Sequence, residues 1–129
     1  MSAQHESPAV AIARAHVEAW SNHDFDAARD SLAADVRVTS TTTQPIMKDV
    51  STAGIDDYMT GLTQFARGVA PGSARVIASV GDERNALLML TVEADLGAGK
   101  ATLPAARLYL LDDDGKIRSE QVIFYAAAN

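Results

Sequence analysis

Residues 106–125 read Ala-Arg-Leu-Tyr-Leu-Leu-Asp-Asp-Asp-Gly-Lys-Ile-Arg-Ser-Glu-Gln-Val-Ile-Phe-Tyr. Two segments rich in β-favouring residues flank the turn signal Asp-Asp-Asp-Gly, which predicts an antiparallel hairpin. Arg107 and Glu120 interrupt strand faces that are otherwise apolar, because alternate residues of a strand point to the same side. A charged side chain on such a face needs a partner, so this pair is the first candidate for a functional site.

The length of the turn decides whether the two side chains meet. A two-residue turn at Asp114-Gly115 would place Arg107 opposite Val122, with Glu120 on the diagonal. A four-residue loop over 112–115 would place Arg107 directly opposite Glu120. A three-residue loop would put the two on opposite faces of the sheet, since one residue of slip reverses every side chain.

The composition is that of an ordinary globular protein. The 129 residues are 47% hydrophobic and 22% charged, which predicts a single domain spanning 1–129. A net charge of -6 argues against nucleic acid as a partner.

No apolar run approaches the roughly 20 residues of a membrane span. The first residues lack a basic and an apolar region, so we expect no signal peptide and a cytoplasmic location. The chain has no cysteine, which excludes disulfides and thiolate chemistry.

Three helices are predicted in the first part of the chain. Ser7 and Pro8 form an N-cap and first-turn signature, and apolar residues then recur at helical spacing as far as Trp20. Asp24 caps a short second helix. A third amphipathic helix begins near Ile55 and ends before Pro71-Gly72.

Strands dominate the rest of the sequence. The β-branched segment 36–39 predicts a short strand, followed by a loop or irregular hairpin up to Pro45. After Gly72, four strands are expected over 74–80, 86–95, 101–111 and 117–127. Helices followed by a strand meander predict an α+β fold, with the helices covering one face of an antiparallel sheet.

Four short stretches resemble the nuclear-transport-factor-2-like superfamily, which includes SnoaL-like polyketide cyclases, ketosteroid isomerases, limonene epoxide hydrolases and scytalone dehydratase. They are Ala-Trp-Ser-Asn-His-Asp-Phe-Asp-Ala-Ala (19–28), Leu-Ala-Ala-Asp-Val-Arg-Val (32–38), Gly-Ile-Asp-Asp-Tyr (54–58) and Asp-Gly-Lys-Ile (114–117). The resemblance covers nearly the whole chain and implies a cystatin-like roll, in which a cone-shaped, curved antiparallel sheet wraps around three N-terminal helices. None of the four stretches is a catalytic signature, so fold is indicated more strongly than chemistry.

A comparison with ketosteroid isomerases argues against that activity. In the register that the resemblance implies, the isomerase base falls at Ser40, its tyrosine donor at His16 and its protonated aspartate at Arg107. All three differ. A serine hydroxyl without an activating partner is no base at neutral pH, so we expect no ketosteroid isomerisation.

The same register predicts the residues of a site. His16, Arg107 and Glu120 are the candidate catalytic groups, and the candidate pocket residues are Trp20, Tyr58, Leu90, Val92, Val122 and Phe124. Arg107 and Glu120 are either a structural ion pair or a clamp for an anion or carbonyl, and the sequence leaves both open. The scattered histidines match no metal spacing, so we expect neither a metal nor a cofactor.

Two functions are compatible with these residues. One is the binding of a small, largely hydrophobic metabolite in an apolar pocket, by a cofactor-independent isomerase, cyclase, hydrolase or dehydratase. The alternative is a non-catalytic ligand-binding or dimeric assembly domain. Leu108, Leu110 and Ile123 on the outer face of the sheet predict a homodimer through that face.

Overall fold

The structure is a computed structural model that describes residues 6–42, 50–97 and 99–125. In chain order its elements are α1 (Pro8–Ser21), α2 (Phe25–Asp30), β1 (Leu32–Thr42), β2 (Val50–Ala53), α3 (Ile55–Arg67), β3 (Arg75–Gly81), β4 (Asn85–Asp95), β5 (Lys100–Leu111) and β6 (Ile117–Phe124). The α+β class predicted from the sequence is confirmed.

The helices begin where the sequence predicts. The Ser7 hydroxyl accepts a hydrogen bond from the Val10 amide at 3.2 Å, and Pro8 occupies the first turn of α1. The Asp24 carboxylate caps α2 in the same way, through the Ala27 amide at 3.2 Å.

The first strand is longer than predicted. The expected segment 36–39 lies inside an 11-residue strand that begins at Leu32, directly after α2. Of the predicted loop after it, residues 40–42 belong to β1 and residues 43–45 lie outside the described residues. β2 then pairs antiparallel with β1, which is the hairpin alternative. At the other end of the chain β6 stops at Phe124, and residues 126–127 of the predicted strand lie outside the described residues.

The strands form one six-stranded sheet in the order β2-β1-β6-β5-β4-β3. Four of the pairings are antiparallel as expected, but β1 runs parallel to β6, so the sheet is mixed. This long-range pairing joins the first strand to the last and has no local sequence signal.

A bulge decides the register of the β5–β6 hairpin. The Asp112 amide donates to the Lys116 carbonyl at 2.8 Å, which closes a three-residue loop with Gly115 at φ 76°. That loop alone would put Arg107 and Glu120 on opposite faces. Between the pairs Leu111–Ile117 and Leu110–Ser119, however, Arg118 is left without a partner on β5. The extra residue restores the parity, so Arg107 lies opposite Val122 and Glu120 opposite Tyr109.

The helices cover one face of the sheet in two groups. α1 packs on β3, β4 and β5, whereas α3 packs on β1 and β2. The buried core lies between the helices and the inner face of the sheet, and it includes Trp20, Leu88 and Leu90. No described helix is long and apolar enough to cross a membrane.

Candidate functional site

A cavity of about 400 Å³ lies between α3 and the strands β1, β2, β5 and β6. Leu62 and Phe65 of α3 form one wall, and Val122 and Phe124 of β6 form part of the other. Arg107, Glu120 and Tyr58 supply polar groups to this largely apolar lining. A volume of this size with a few convergent polar groups is typical of a small-molecule site.

Glu120 lies at the centre of the polar groups and is only 2% exposed. Its Oε1 accepts a hydrogen bond from the Tyr58 hydroxyl at 2.6 Å, and its Oε2 accepts one from Arg107 Nη1 at 3.0 Å. Burial by itself raises the pKa of the carboxyl, but the Arg107 charge and the neighbouring donors outweigh burial and leave the pKa below its usual value. Glu120 is therefore ionised at neutral pH despite its burial.

Arg107 is the counter-ion, and its guanidinium lies among three aromatic rings. The Cζ atom is 4.8 Å from the centroid of Trp20, 5.9 Å from Phe65 and 5.7 Å from Phe124. Its Nε–H is buried without a hydrogen-bond partner. The pair with Glu120 thus uses one guanidinium nitrogen and leaves donor capacity unused on an arginine that lines the cavity.

His16 lies behind Tyr58, at the junction of the three helices. Its Nε2 is 2.9 Å from the Tyr58 hydroxyl oxygen, and its Nδ1 is 2.8 Å from Ser31 Oγ and 3.1 Å from the Ala28 carbonyl oxygen. Burial lowers the pKa of the imidazole from 6.5 to about 4; Glu120 opposes this effect and Arg107 adds to it. His16 is neutral at neutral pH and reaches the cavity only through Tyr58.

Two tyrosines complete the cluster. Burial and the neighbouring carboxylate raise the pKa of the Tyr58 hydroxyl well above its ordinary value, so it stays protonated and donates. The Tyr109 hydroxyl forms no hydrogen bond of ordinary geometry, yet it is close enough to Glu120 for the two groups to shift each other's pKa. Sequence reasoning missed Tyr109 and Ser31 as members of the site. Their signals are present, since Tyr109 shares the inward face with Arg107 and Ser31 ends α2 beside the packed histidine.

The structure distributes the other predicted pocket residues between the cavity and the core. Tyr58, Val122 and Phe124 line the cavity. Trp20 is fully buried beneath Arg107 and supports its guanidinium instead of lining the cavity. Leu90 and Val92 differ from the expectation as well, because the inner face of β4 is covered by α1 and both side chains are buried in the core.

Ser40, where the register of the isomerases places the base, lines the cavity with a hydroxyl. Within residues 6–42, 50–97 and 99–125, no three His, Asp or Glu side chains lie close enough together to hold a metal ion.

Comparisons with known proteins agree with this architecture. A crystal structure of a protein from Kribbella flavida DSM 17836 superposes with a TM-score of 0.75 at 27% identity, covering 92% of this chain and 88% of that one. An LEH-like epoxide hydrolase from M. tuberculosis gives a TM-score of 0.69 at 19% identity, covering 91% and 82%. A protein described as a SnoaL-like polyketide cyclase, from Shewanella denitrificans OS-217, gives 0.71 at 11% identity, covering 88% of each chain. The last two likenesses concern the fold alone.

Among proteins with curated descriptions, none matches this chain significantly. The family model of the SnoaL-like domain matches residues 13–120, a span that contains His16, Tyr58, Arg107 and Glu120. The match extends over most of the described structure, and the chain belongs to the SnoaL-like domain family.

Proposed function

We propose that the cavity binds a small, largely apolar molecule whose carboxylate or carbonyl group is held by Arg107. The observation that carries this proposal is the buried Arg107, which bonds Glu120 through one nitrogen, keeps an unpartnered Nε–H and lines an apolar cavity of about 400 Å³. Guanidinium is suited to this role, because it cannot lose its charge and its donors match planar oxygen groups.

Glu120 gives the site the capacity for proton transfer without a cofactor. An ionised, water-shielded carboxylate can accept a proton from a bound ligand or orient a water molecule. Its lowered pKa makes it a weak base, so the ligand's proton must be acidified, and Arg107 supplies the positive charge that stabilises a developing oxyanion. Two neighbours of the same fold are described as an epoxide hydrolase and a polyketide cyclase, which supports a catalytic use of such a cavity.

The test is a thermal-shift screen with small alicyclic and aromatic carboxylates and ketones. A ligand that binds only the folded state raises the melting temperature, and at excess ligand the stabilisation grows with the logarithm of its concentration over its Kd. Arg107→Met should weaken the affinity for the best ligand about 10- to 100-fold, as expected for the loss of a hydrogen bond to a charged group. Arg37→Met removes an exposed arginine on β1 and is the matched control. Equal stabilisation of wild type and Arg107→Met, or no stabilising ligand in the panel, would rule out the proposal.

A second function, assembly of two copies through the outer face of the sheet, has its own support. Met89, Ala106 and Ile123 lie side by side on β4, β5 and β6, with Leu108 and Leu110 next to them. The four large side chains of this group are 37–45% exposed. A contiguous apolar surface of this kind is typical of a protein–protein interface.

A further inference from the structure

His16 is surrounded by oxygen atoms at both of its ring nitrogens. Nε2 faces the Tyr58 hydroxyl, and Nδ1 faces both the Ser31 hydroxyl and the Ala28 carbonyl. A carbonyl oxygen can only accept a hydrogen bond, and a hydroxyl can accept or donate. The surroundings therefore suit an imidazole with a proton on either nitrogen or on both.

Counting the protons in the hydrogen bonds that join Glu120, Tyr58, His16 and Ser31 identifies the neutral tautomer of His16. The Tyr58 hydroxyl has one proton, and the 2.6 Å contact with the ionised Glu120 uses it. At 2.9 Å, His16 Nε2 must then be the donor to the Tyr58 oxygen. In the neutral ring Nδ1 carries no proton, and the Ser31 hydroxyl donates to it at 2.8 Å.

The cluster has a prepared place for one more proton. If Nδ1 takes a proton, it donates to Ser31 Oγ or to the Ala28 carbonyl, and the Ser31 hydroxyl turns to donate to the Ala28 carbonyl at 2.8 Å. Both ring nitrogens of His16 and the Ser31 hydroxyl then still have hydrogen-bond partners, and none of their heavy atoms has to move. A buried cation is tolerated only when it is hydrogen-bonded and paired with an opposite charge, and here the hydrogen-bond partners are already in place.

We propose that His16 takes up one proton from solvent when an anionic ligand group draws Arg107 away from Glu120. The ligand anion then pairs with Arg107, and the new imidazolium pairs with Glu120 through the Tyr58 hydroxyl. The proton comes from solvent and adds to Nδ1, so no bond other than N–H forms. This inference rests on the proposed binding of an anionic group at Arg107.

The charges around His16 support this response. Glu120 of β6 favours its protonation, and Arg107 of β5 opposes it. Tyr58 of α3 and Tyr109 of β5, whose ring centroid is 6.1 Å from that of His16, are neutral at neutral pH. α2 contributes uncharged oxygens, and the buried side chains of β4 are apolar. Withdrawing the Arg107 charge therefore removes the opposing cation and leaves an unbalanced carboxylate. Burial lowers the pKa of His16 and raises that of Glu120, but imidazole has the higher ordinary pKa and its Nδ1 already has oxygen partners for the new proton.

Arg107→Met imitates this withdrawal and requires no ligand. ¹⁵N and ¹H NMR of the imidazole, with the signals assigned by their loss in His16→Gln, gives the tautomer and the pKa directly. In wild type we expect a neutral ring with its proton on Nε2 at pH 7. In Arg107→Met the pKa of His16 should rise by about 1–3 units, as for a group freed from one charge and left beside an opposite one. Arg107→Lys, which keeps the positive charge, and the double variant Arg107→Met/Glu120→Gln, which removes both charges, should show no such rise in the pKa of His16.

Two results would overturn the proposal. A wild-type ring with its proton on Nδ1 contradicts the proton count, and this measurement is decisive even if Arg107→Met fails to fold. A folded Arg107→Met protein in which Glu120 takes the proton and His16 stays neutral assigns the role to the carboxyl. Neither result touches the thermal-shift screen, so a failure of proton uptake can be told apart from a failure of ligand binding.

Discussion

Glu120 shows how a carboxylate remains charged inside an apolar cavity. Removing such a group from water costs several kcal/mol, and it is tolerated only when charge and hydrogen bonds compensate. Here Arg107 supplies the charge and Tyr58 supplies a short hydrogen bond. His16 of α1 hydrogen-bonds to the Tyr58 oxygen, and it thereby orients the Tyr58 hydroxyl proton towards Glu120 of β6.

The pKa of His16 predicts a pH dependence of stability. The folded-state pKa of about 4 lies below the ordinary 6.5, so the unfolded chain binds the additional proton first. The stability from neutral His16 is fully present above pH 6.5 and is lost as pH falls towards 4, by about 3 kcal/mol in total for this shift. Urea unfolding at half-unit steps between pH 7 and 4 should show this loss. In His16→Gln the slope over this window should largely disappear, and an unchanged slope would contradict the assignment.

Individual residues differ in how far the sequence reveals them. Arg107 and Glu120 stand out because charged residues break a two-residue apolar period, and the family resemblance points to Tyr58. The partners of His16 are hidden, since Ser31 and the Ala28 carbonyl reach it only when α1 and α2 pack together. Leu90 and Val92 look the same as cavity residues in the sequence, and only the position of α1 assigns them to the core.

At the level of elements, the bulge at Arg118 determines the site. The turn sequence predicts a hairpin but leaves its parity open, and a loop of three residues is the case that would separate Arg107 from Glu120. The bulged residue moves Glu120 to the other face of β6. The three-residue loop and the bulge would each, alone, put Arg107 and Glu120 on opposite faces, but together they bring the two charges to the same face. Both features depend on pairing with β1 and β5, which is why the helices were easier to predict than the register.

The contact between the start of α1 and the end of β3 depends on a glycine. A Cβ atom at Gly81 would lie 2.3 Å from the Asn85 carbonyl oxygen, 2.9 Å from Val10 Cγ2 and 3.0 Å from Ser7 Oγ. Gly81→Ala should therefore lower the free energy of unfolding by about 1–3 kcal/mol, the usual cost of overpacking. Urea denaturation monitored by circular dichroism measures the change.

Gly61 is the matched control for this substitution. It lies within α3, and a Cβ atom there would meet nothing within 4 Å. Gly61→Ala should raise the free energy of unfolding by about 0.5–1 kcal/mol, since alanine is the better helix former. If Gly81→Ala were as stable as Gly61→Ala, the close approach of α1 to β3 would not be a constraint on the fold.

At the scale of the whole molecule, the two faces of the sheet differ. The inner face has three helices, a core and a cavity, and on the outer face the described residues include several large apolar side chains with high exposure. The positions of Arg107 and Leu108 illustrate the difference, because these neighbours on β5 point to opposite sides and are 3% and 42% exposed. The alternation along one strand thus separates the proposed ligand site from the proposed assembly surface.

The outer face leads to the prediction that the chain forms a homodimer. The group Met89, Leu108, Leu110 and Ile123 is central on the sheet. Pairing it with a second copy would bury this apolar surface, and the burial would stabilise the dimer by about 25 cal/mol per Å².

Sedimentation velocity at tens of micromolar should show a dimer for wild type and a monomer for Leu108→Glu, which places like charges in the interface. Arg118→Glu, near the turn on the same hairpin, is a control for the added negative charge. The far-ultraviolet circular dichroism of Leu108→Glu should be unchanged, because the side chain contributes to no part of the inner core. A wild-type protein that sediments only as a monomer, or a Leu108→Glu variant that remains dimeric, would show that this face is not where two copies meet.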